Sequence, residues 1–163
     1  MCFRAQFPLQ YCEGNFFNLR MNQKITTRDN FSSVFCTPIG MDSKNITVLI
    51  VDDEPDICFL LGNMLKQKSF VPVIANSLTE GLDKLKKHMP ALLFLDIHLP
   101  DGSGLDILGG IKKDFPTLKI IMMSAYDGAC EKSRAIEGGA DIFISKPLSR
   151  DLITESLSKL LNK

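Results

Sequence analysis

Residues 46–56 read ITVLIVDDEPD, an apolar run followed at once by three acidic residues and a proline. The run 46–51 shows no sustained alternation of polar and apolar residues, so it predicts a strand that is buried on both faces. Pro55 stands where the first turn of a helix would begin. The segment therefore predicts a buried strand, an acidic strand end and a helix in direct succession.

The same pattern recurs along the rest of the chain. Four further apolar runs occupy 70–75, 91–95, 118–123 and 140–144, with helical segments between them. Strands that alternate with helices in this way are typical of a parallel sheet covered on both faces. Pro72 lies inside the second run and has no N–H to donate, which favours an edge position. We expect an α/β fold with a doubly wound, five-stranded parallel sheet in the order 2-1-3-4-5, the flavodoxin-like arrangement.

The helices carry start signals of their own. Ser77 and Glu80 form a capping-box pattern at the second helix, and Ser149 is placed to cap the last one. Spacing also predicts the core faces, because residues three and four apart lie on the same side of a helix. On the first helix this face comprises Ile57, Leu60, Leu61, Met64 and Leu65.

Polar side chains follow four of the five predicted strands. Asp52 and Asp53 follow the first strand, Asp96 the third, Ser124 the fourth and Lys146 the fifth. In doubly wound sheets, ligands bind at the carboxyl ends of the strands, where the strand order reverses. Carboxylates that converge there repel one another unless a cation is present, and this donor set favours Mg2+. The lysine and the serine hydroxyl suit a phosphate group.

Composition excludes several other classes of protein. The chain has 163 residues with 19 basic and 19 acidic side chains, which gives no support to a polybasic nucleic-acid binder. No apolar run approaches the roughly 18 residues that span a bilayer, and no signal-peptide core is present, so we expect a cytoplasmic protein without a membrane segment. Five cysteines without a C-x-x-C pair indicate neither a disulfide framework nor a zinc site.

Residues 1–44 differ from the rest of the chain. They hold six of the 11 phenylalanines, and their apolar residues follow neither a helical nor a strand period. We expect a disordered leader or a misplaced translation start here, with Met41 as the alternative start, and a single domain over 45–163. A targeting or partner-binding arm is the functional alternative for this segment.

Residues 46–163 resemble the receiver domain of bacterial two-component response regulators. The resemblance rests on ITVLIVDDEPD at 46–56, LLFLDIHLPDGSGLDIL at 92–108, IIMMSAYD at 120–127 and GADIFISKP at 139–147. One such motif would be weak evidence, but all four agree in order, spacing and position at the strand ends. The resemblance implies a phosphorelay signalling module rather than an enzyme with a separate substrate.

The resemblance also implies a role for each strand-end residue. Asp96 would accept a phosphoryl group from the phosphohistidine of a partner histidine kinase. Asp53 and Asp96, with the backbone carbonyl of His98, would bind Mg2+, and Asp52 would act through a metal-bound water. Ser124 would hydrogen-bond to the phosphoryl oxygens.

Two further roles follow from the family. Lys146 would pair with the phosphoryl group, and its peptide bond to Pro147 would be cis. Phe143 would be the aromatic side chain that changes rotamer when Ser124 moves toward the phosphoryl group, so Ser124 and Phe143 form the expected switch.

Two positions beside the phosphoacceptor predict a long-lived phosphoryl group. In this family, the side chains two residues after the phosphoacceptor and two after the serine flank the route of attacking water. Here they are His98 and Tyr126, and neither offers an acidic or amide group to orient a water molecule. We therefore expect slow loss of phosphate, as in phosphorelay intermediates.

Cys58 and Phe59 fall between the core positions of the first helix. We expect them to point outward, next to the acidic strand ends, and to form a contact surface for the kinase. Additional core packing is the alternative for these two residues.

Only 17 residues follow Lys146, which leads us to expect a stand-alone receiver. Its signal would pass by contact with an unidentified downstream protein, or by onward transfer to a histidine phosphotransfer protein. The alternative of a different class is a Mg2+-dependent aspartyl-phosphate hydrolase of the haloacid dehalogenase type. Such enzymes carry a D-x-D pair after the first strand, whereas this chain has adjacent Asp52 and Asp53 there.

Overall fold

The computed structural model describes residues 46–126 and 128–161. The prediction for residues 1–44 lies outside this part of the chain. Twelve elements follow one another along the described residues: β1 (Thr47–Val51), α1 (Pro55–Gln67), β2 (Val71–Ala75), α2 (Leu78–His88), β3 (Leu92–Asp96), β4 (His98–Leu99), β5 (Gly102–Ser103), α3 (Gly104–Asp114), β6 (Lys119–Ser124), α4 (Ala129–Glu137), β7 (Ile142–Ser145) and α5 (Arg150–Leu161).

The five longer strands form one parallel sheet in the order β2-β1-β3-β6-β7. This order confirms the predicted arrangement, because β6 and β7 are the fourth and fifth of the long strands. The two short strands, β4 and β5, pair with each other as an antiparallel hairpin directly after β3. Two-residue strands carry too little periodicity to be recognised, and the hairpin was not predicted.

Helices cover both faces of the sheet, as the apolar strands require. Alternate strand residues face opposite sides, so that Leu49 and Val51 pack with α2, α3 and α4, whereas Val48 and Ile50 pack with α1 and α5. The central strand β3 is buried along its whole length. This double layer explains why the strands read as continuous apolar runs.

Strand β2 lies at one edge of the sheet, as Pro72 predicted. Val71 donates its N–H to the Ile46 carbonyl at 2.9 Å, so its backbone groups face β1. Because successive residues of a strand face opposite sides, the backbone groups of Pro72 and Ile74 face the edge with which no other described strand pairs. The ammonium group of Lys84 hydrogen-bonds to the Ile74 carbonyl from α2. Proline is therefore tolerated here without the loss of a ladder hydrogen bond.

The start of α2 is capped from two directions. The Ser77 hydroxyl accepts the N–H of Glu80 at 3.2 Å, which confirms the predicted cap. The carboxylate of Asp101, in the turn of the hairpin, accepts the N–H groups of Leu78 at 2.7 Å and of Thr79 at 2.9 Å. Asp101 thus ties the connection after the central strand to α2.

The last helix also begins as predicted, since the Ser149 hydroxyl accepts the N–H of Leu152 at 3.2 Å. Among the described residues, no helix combines the length and the apolar character needed to cross a membrane.

Candidate phosphoacceptor site

Three strand ends bring a lysine and two buried aspartates together. Asp96 is the last residue of β3, and Asp52 follows β1, the strand next to β3. The Lys146 ammonium nitrogen lies 3.1 Å from Asp96 Oδ2 and 3.0 Å from Asp52 Oδ2. It also lies 2.7 Å from Oε1 of Glu54, a residue that was not predicted to belong to the site. One cation thus bridges three carboxylates at the edge where the sequence predicted a site.

The protonation of this group follows from competition between burial and charge. Burial raises the pKa of Asp52 and of Asp96 above the ordinary range, while Lys146 opposes that rise. For Lys146, burial alone would lower the pKa, but the carboxylates of Glu54, Asp52 and Asp96 outweigh it and raise the pKa. The lysine is therefore firmly cationic, and the two aspartates depend on a neighbouring positive charge to remain ionised.

The donor set fits a divalent cation with oxygen ligands. Carboxylate oxygens of Asp52, Glu54 and Asp96 all lie within 4.8 Å of one another. Asp52 Oδ2 is buried and accepts no hydrogen bond, although the Lys146 ammonium nitrogen lies 3.0 Å away as its ion-pair partner. An unsatisfied buried carboxylate oxygen is costly, and a hard cation such as Mg2+ would satisfy it.

The carboxylate cluster contains a different acidic residue from the one that was predicted to act beside Asp52. Glu54 belongs to the carboxylate cluster and Asp53 does not, although both residues are exposed. Asp53 as a metal ligand, and likewise the carbonyl of His98, stay predictions. Glu54 could have been noticed from the sequence, because it is the third acidic residue in the same strand-end motif.

Backbone and thiol hydrogen bonds position Asp52. The N–H of Glu54 donates to Asp52 Oδ1 at 2.9 Å, and the Cys58 thiol donates to the Asp52 carbonyl at 3.3 Å. Burial raises the pKa of Cys58 to about 11, so the thiol stays protonated and can donate.

The burial of Cys58 corrects the expectation that it points outward with Phe59. Cys58 is 4% exposed and packs in the core beneath α1, because the first turn of that helix brings it back toward Asp52. It is therefore no candidate for partner binding. Phe59, in contrast, is 72% exposed, as expected.

Residues that flank the β4–β5 hairpin help to fix the position of Asp96. Asp96 Oδ1 accepts the N–H of Ile97 at 2.8 Å, and the N–H of Gly104 donates to the Ile97 carbonyl at 2.8 Å. Gly104 lies so close to Asp96 that a β-carbon would clash with the Asp96 carbonyl oxygen. The phosphoacceptor candidate is thus held on a rigid strand end and not on a free loop.

Ser124 ends β6, next to Asp96, and is fully buried. Its hydroxyl donates to Oε2 of Glu131 on α4 at 2.7 Å and accepts the N–H of Tyr126 at 3.0 Å. Glu131 was not predicted from the sequence, because an acidic residue in the first turn of a helix is normally explained by the helix dipole.

The two predicted flanking residues contact each other. The rings of His98 and Tyr126 pack edge to face with centroids 5.5 Å apart, and Tyr126 is 66% exposed. Oε1 of Glu131 lies 3.8 Å from His98 Nε2. Phe143 is half-buried and packs against the core on the side of α3 and α4. The Lys146–Pro147 peptide bond is cis, as the resemblance implied.

Comparison with known proteins agrees with this geometry. A family model described as the response regulator receiver domain matches residues 48–158, which include all the strand ends described above. The chain is similar to the transcriptional regulatory protein KdpE of Mycobacterium tuberculosis (strain CDC 1551 / Oshkosh), with 35% identity over 104 residues, 64% of this chain and 46% of KdpE. The chain spans about half the length of the curated relatives it matches first.

Solved structures show the same similarity. The receiver domain of NtrX from Brucella abortus is 32% identical, with a TM-score of 0.67 over 71% of this chain and 98% of that one. A CheY-like response regulator receiver domain protein from Methanospirillum hungatei JF-1 is also 32% identical, with a TM-score of 0.66 over 71% of this chain and 93% of that one.

Proposed function

Because the chain belongs to the response regulator receiver domain family, we propose that Asp96 accepts a phosphoryl group from the phosphohistidine of a partner histidine kinase. The observation that supports this role is the Lys146 ammonium nitrogen 3.1 Å from Asp96 Oδ2, at the end of a buried central strand. Receiver domains are signalling modules of two-component systems, in which response regulators act with histidine kinases.

The proposed reaction is a transfer between two protein side chains. An oxygen of the Asp96 carboxylate attacks phosphorus, the bond between phosphorus and the histidine nitrogen breaks, and an acyl phosphate forms. The electron pair of the broken bond stays on the imidazole of the kinase. Asp96 Oδ1 is held by the N–H of Ile97, which leaves Oδ2, the oxygen that faces Lys146, for the attack.

The residues around Asp96 supply alignment and charge, which account for most of the rate in phosphoryl transfer. Lys146 neutralises negative charge on the phosphoryl oxygens during the transfer. Asp52 and Glu54, with Asp96, would hold Mg2+, and Asp53 is the further ligand predicted by the resemblance. When bound, the cation supplies positive charge for the transferring phosphoryl group.

Phosphorylation would act on the surface of the domain through Ser124 and Phe143. An acyl phosphate carries roughly 1.5 to 2 negative charges, by analogy with other phosphorylated residues, in place of the single charge of the ionised Asp96 carboxylate. Ser124 would donate to a phosphoryl oxygen, and Phe143 would turn into the space that the serine leaves. Such a rearrangement biases a two-state surface on β6, α4 and β7.

The domain would promote its own phosphorylation and dephosphorylation and act on no separate substrate. Its output would pass by contact with a downstream protein or by onward transfer to a histidine phosphotransfer protein. A cytoplasmic location stays a prediction from the sequence.

Intact-mass analysis after incubation with acetyl phosphate and Mg2+ tests the proposal. We expect one added phosphoryl group on the wild type and none on Asp96→Ala. Asp106→Ala removes an exposed carboxylate from α3 and serves as the matched control, which should be phosphorylated like the wild type. An unmodified wild type, or repeated turnover of a small phosphoester, would contradict the proposal and favour a hydrolase.

A further inference from the structure

A hydrogen bond between Glu131 and Ser124 joins α4 to the candidate site. The Ser124 hydroxyl donates to Oε2 of Glu131 at 2.7 Å, within the range of charge-assisted hydrogen bonds. Ser124 is fully buried, and the Glu131 side chain is 24% exposed. The bond is therefore largely shielded from water, which strengthens it relative to a surface contact.

A serine hydroxyl carries a single hydrogen and can donate one strong hydrogen bond at a time. In this structure that hydrogen is committed to Glu131, while the N–H of Tyr126 occupies an acceptor position on the same oxygen. The role proposed for Ser124 after phosphorylation needs the same hydrogen, donated to a phosphoryl oxygen. Glu131 and the phosphoryl group therefore compete for it.

The second oxygen of Glu131 extends the link to the other side of the site. Oε1 lies 3.8 Å from Nε2 of His98, whose ring packs edge to face on Tyr126. His98 lies two residues after Asp96, and Tyr126 two residues after Ser124. One carboxylate on α4 thus contacts the segments that follow both strand ends.

We propose that Glu131 is a positioning residue that holds Ser124 in its unphosphorylated arrangement and must release it when Asp96 is phosphorylated. The inference rests on the proposed function of Asp96. Through its hydrogen bond to Ser124, Glu131 also restrains α4, because breaking that bond frees the first turn of the helix. The residue slows phosphorylation, since the transferring group gains the serine hydrogen only after Glu131 has lost it.

The test measures initial rates of phosphorylation by acetyl phosphate with Mg2+, followed by intact mass on the full chain. Glu131→Ala removes the competing acceptor and should raise the rate on the order of tenfold, the effect of losing one charge-assisted hydrogen bond before the transition state. Glu131→Gln keeps a weaker, neutral acceptor and should fall between Glu131→Ala and the wild type.

A double-mutant cycle separates this role from a simple charge effect. In a Ser124→Ala background, Glu131→Ala should leave the rate unchanged, because no serine hydrogen remains to be released. Glu137→Ala removes an exposed carboxylate from the same helix and should match the wild type.

An equal gain in the Ser124→Ala background, a similar gain in Glu137→Ala, or no gain in Glu131→Ala would overturn the role of Glu131. Those results would leave phosphorylation of Asp96 standing. A wild-type chain that takes up no phosphoryl group would instead overturn the proposed function itself.

Discussion

The backbone of Gly104 contacts that of Asp96 so closely that position 104 has no room for a side chain. A β-carbon there would clash with the Asp96 carbonyl oxygen and would lie 3.1 Å from the Leu95 side chain. The first residue of α3 thus packs directly on the strand end that carries the candidate phosphoacceptor. The position of Asp96 therefore depends on having glycine, which has no β-carbon, eight residues later at position 104.

Gly104→Ala should destabilise the protein and slow phosphorylation of Asp96. The clash is with backbone, which cannot rotate away, so we expect a loss of about 2 kcal/mol in the free energy of unfolding, as in other overpacked sites. Gly109→Ala in the same helix is the matched control, because nothing lies within 4 Å of its β-carbon. The control should gain about 0.5–1 kcal/mol from helix propensity. Urea unfolding checks both values, and equal behaviour of the two variants would contradict the contact.

Lys146→Met should destabilise the protein in the absence of divalent cations. The lysine side chain is 8% exposed and pairs with carboxylates that are 0% and 5% exposed, so its removal leaves buried charge uncompensated. We expect a loss on the order of 3 kcal/mol at pH 8. Burial already raises the pKa of Asp52 and Asp96, and loss of Lys146 raises it further. The difference in stability between the variant and the wild type should therefore shrink as the pH falls and these groups take up protons.

Mg2+ provides a second measurement on the same variant. A cation bound among Asp52, Glu54 and Asp96 would replace the missing charge and stabilise the folded state by mass action. Mg2+ should therefore raise the Tm of Lys146→Met more than that of the wild type. Lys132→Met, at an exposed position on α4, should respond like the wild type. A variant whose Tm ignores Mg2+ would argue against a cation at this cluster.

Asp101 should make the stability depend on pH in the acidic range. Hydrogen bonds from the N–H groups of Thr79 and Leu78 hold the pKa of Asp101 below its ordinary value. Because the pKa of Asp101 is lower in the folded state than in the unfolded state, its carboxylate stabilises the folded state at pH values above the unfolded pKa of about 3.9. This contribution is lost as the pH falls through the folded pKa. Wild type should therefore be more stable than Asp101→Asn at pH 7, with a gap that narrows below pH 4. Thermal unfolding at both pH values measures the gap, and Asp83→Asn on α2 controls for the loss of a carboxylate.

Phe59→Glu should impair phosphotransfer from the kinase and spare phosphorylation by acetyl phosphate. Phe59 is 72% exposed on α1, the helix that begins at the carboxylate cluster, so the substitution should change the free energy of unfolding by less than about 0.5 kcal/mol. Met89→Glu introduces the same change at a position that is 66% exposed at the far end of α2. It should leave both reactions intact. Equal loss of both reactions in Phe59→Glu would reject a docking role.

Tyr126→Ala should accelerate loss of the phosphoryl group. The tyrosine ring packs on His98 beside the site, and neither side chain offers a carboxylate or amide to orient water. We expect slow decay in the wild type and a several-fold faster decay in the variant, followed by intact mass after removal of acetyl phosphate. Ile136→Ala, on the exposed side of α4, controls for the loss of an apolar surface group. Rapid decay that Tyr126→Ala leaves unchanged would contradict this account.

The fold could be predicted because its signals are local and periodic. Apolar runs predicted the five long strands, Pro72 predicted the edge, and Ser77 predicted a helix start. Asp96 and Lys146 could be placed together because parallel strands end on the same side of the sheet.

The remaining features depend on contacts that sequence spacing does not encode. Cys58 is the exception: it was expected at the surface, but it lies three residues before Leu61 and seven before Leu65, a spacing that places it on the buried face of α1. Glu131 contacts Ser124 only because α4 packs across the end of β6, and Asp101 caps α2 through a hairpin of two-residue strands. Such pairings join elements whose relative placement is known only after folding.

The open edge of the sheet bears on how the protein behaves at high concentration. Val71 and Ile74 on β2 are 45% and 37% exposed, and an apolar edge strand of this kind can template the pairing of a second chain. Pro72 removes one outward N–H donor, and Lys84 occupies the outward carbonyl of Ile74 while adding a charge. Resistance to aggregation at this edge thus depends on two side chains, and neither of them belongs to the cluster of Asp52, Glu54, Asp96 and Lys146.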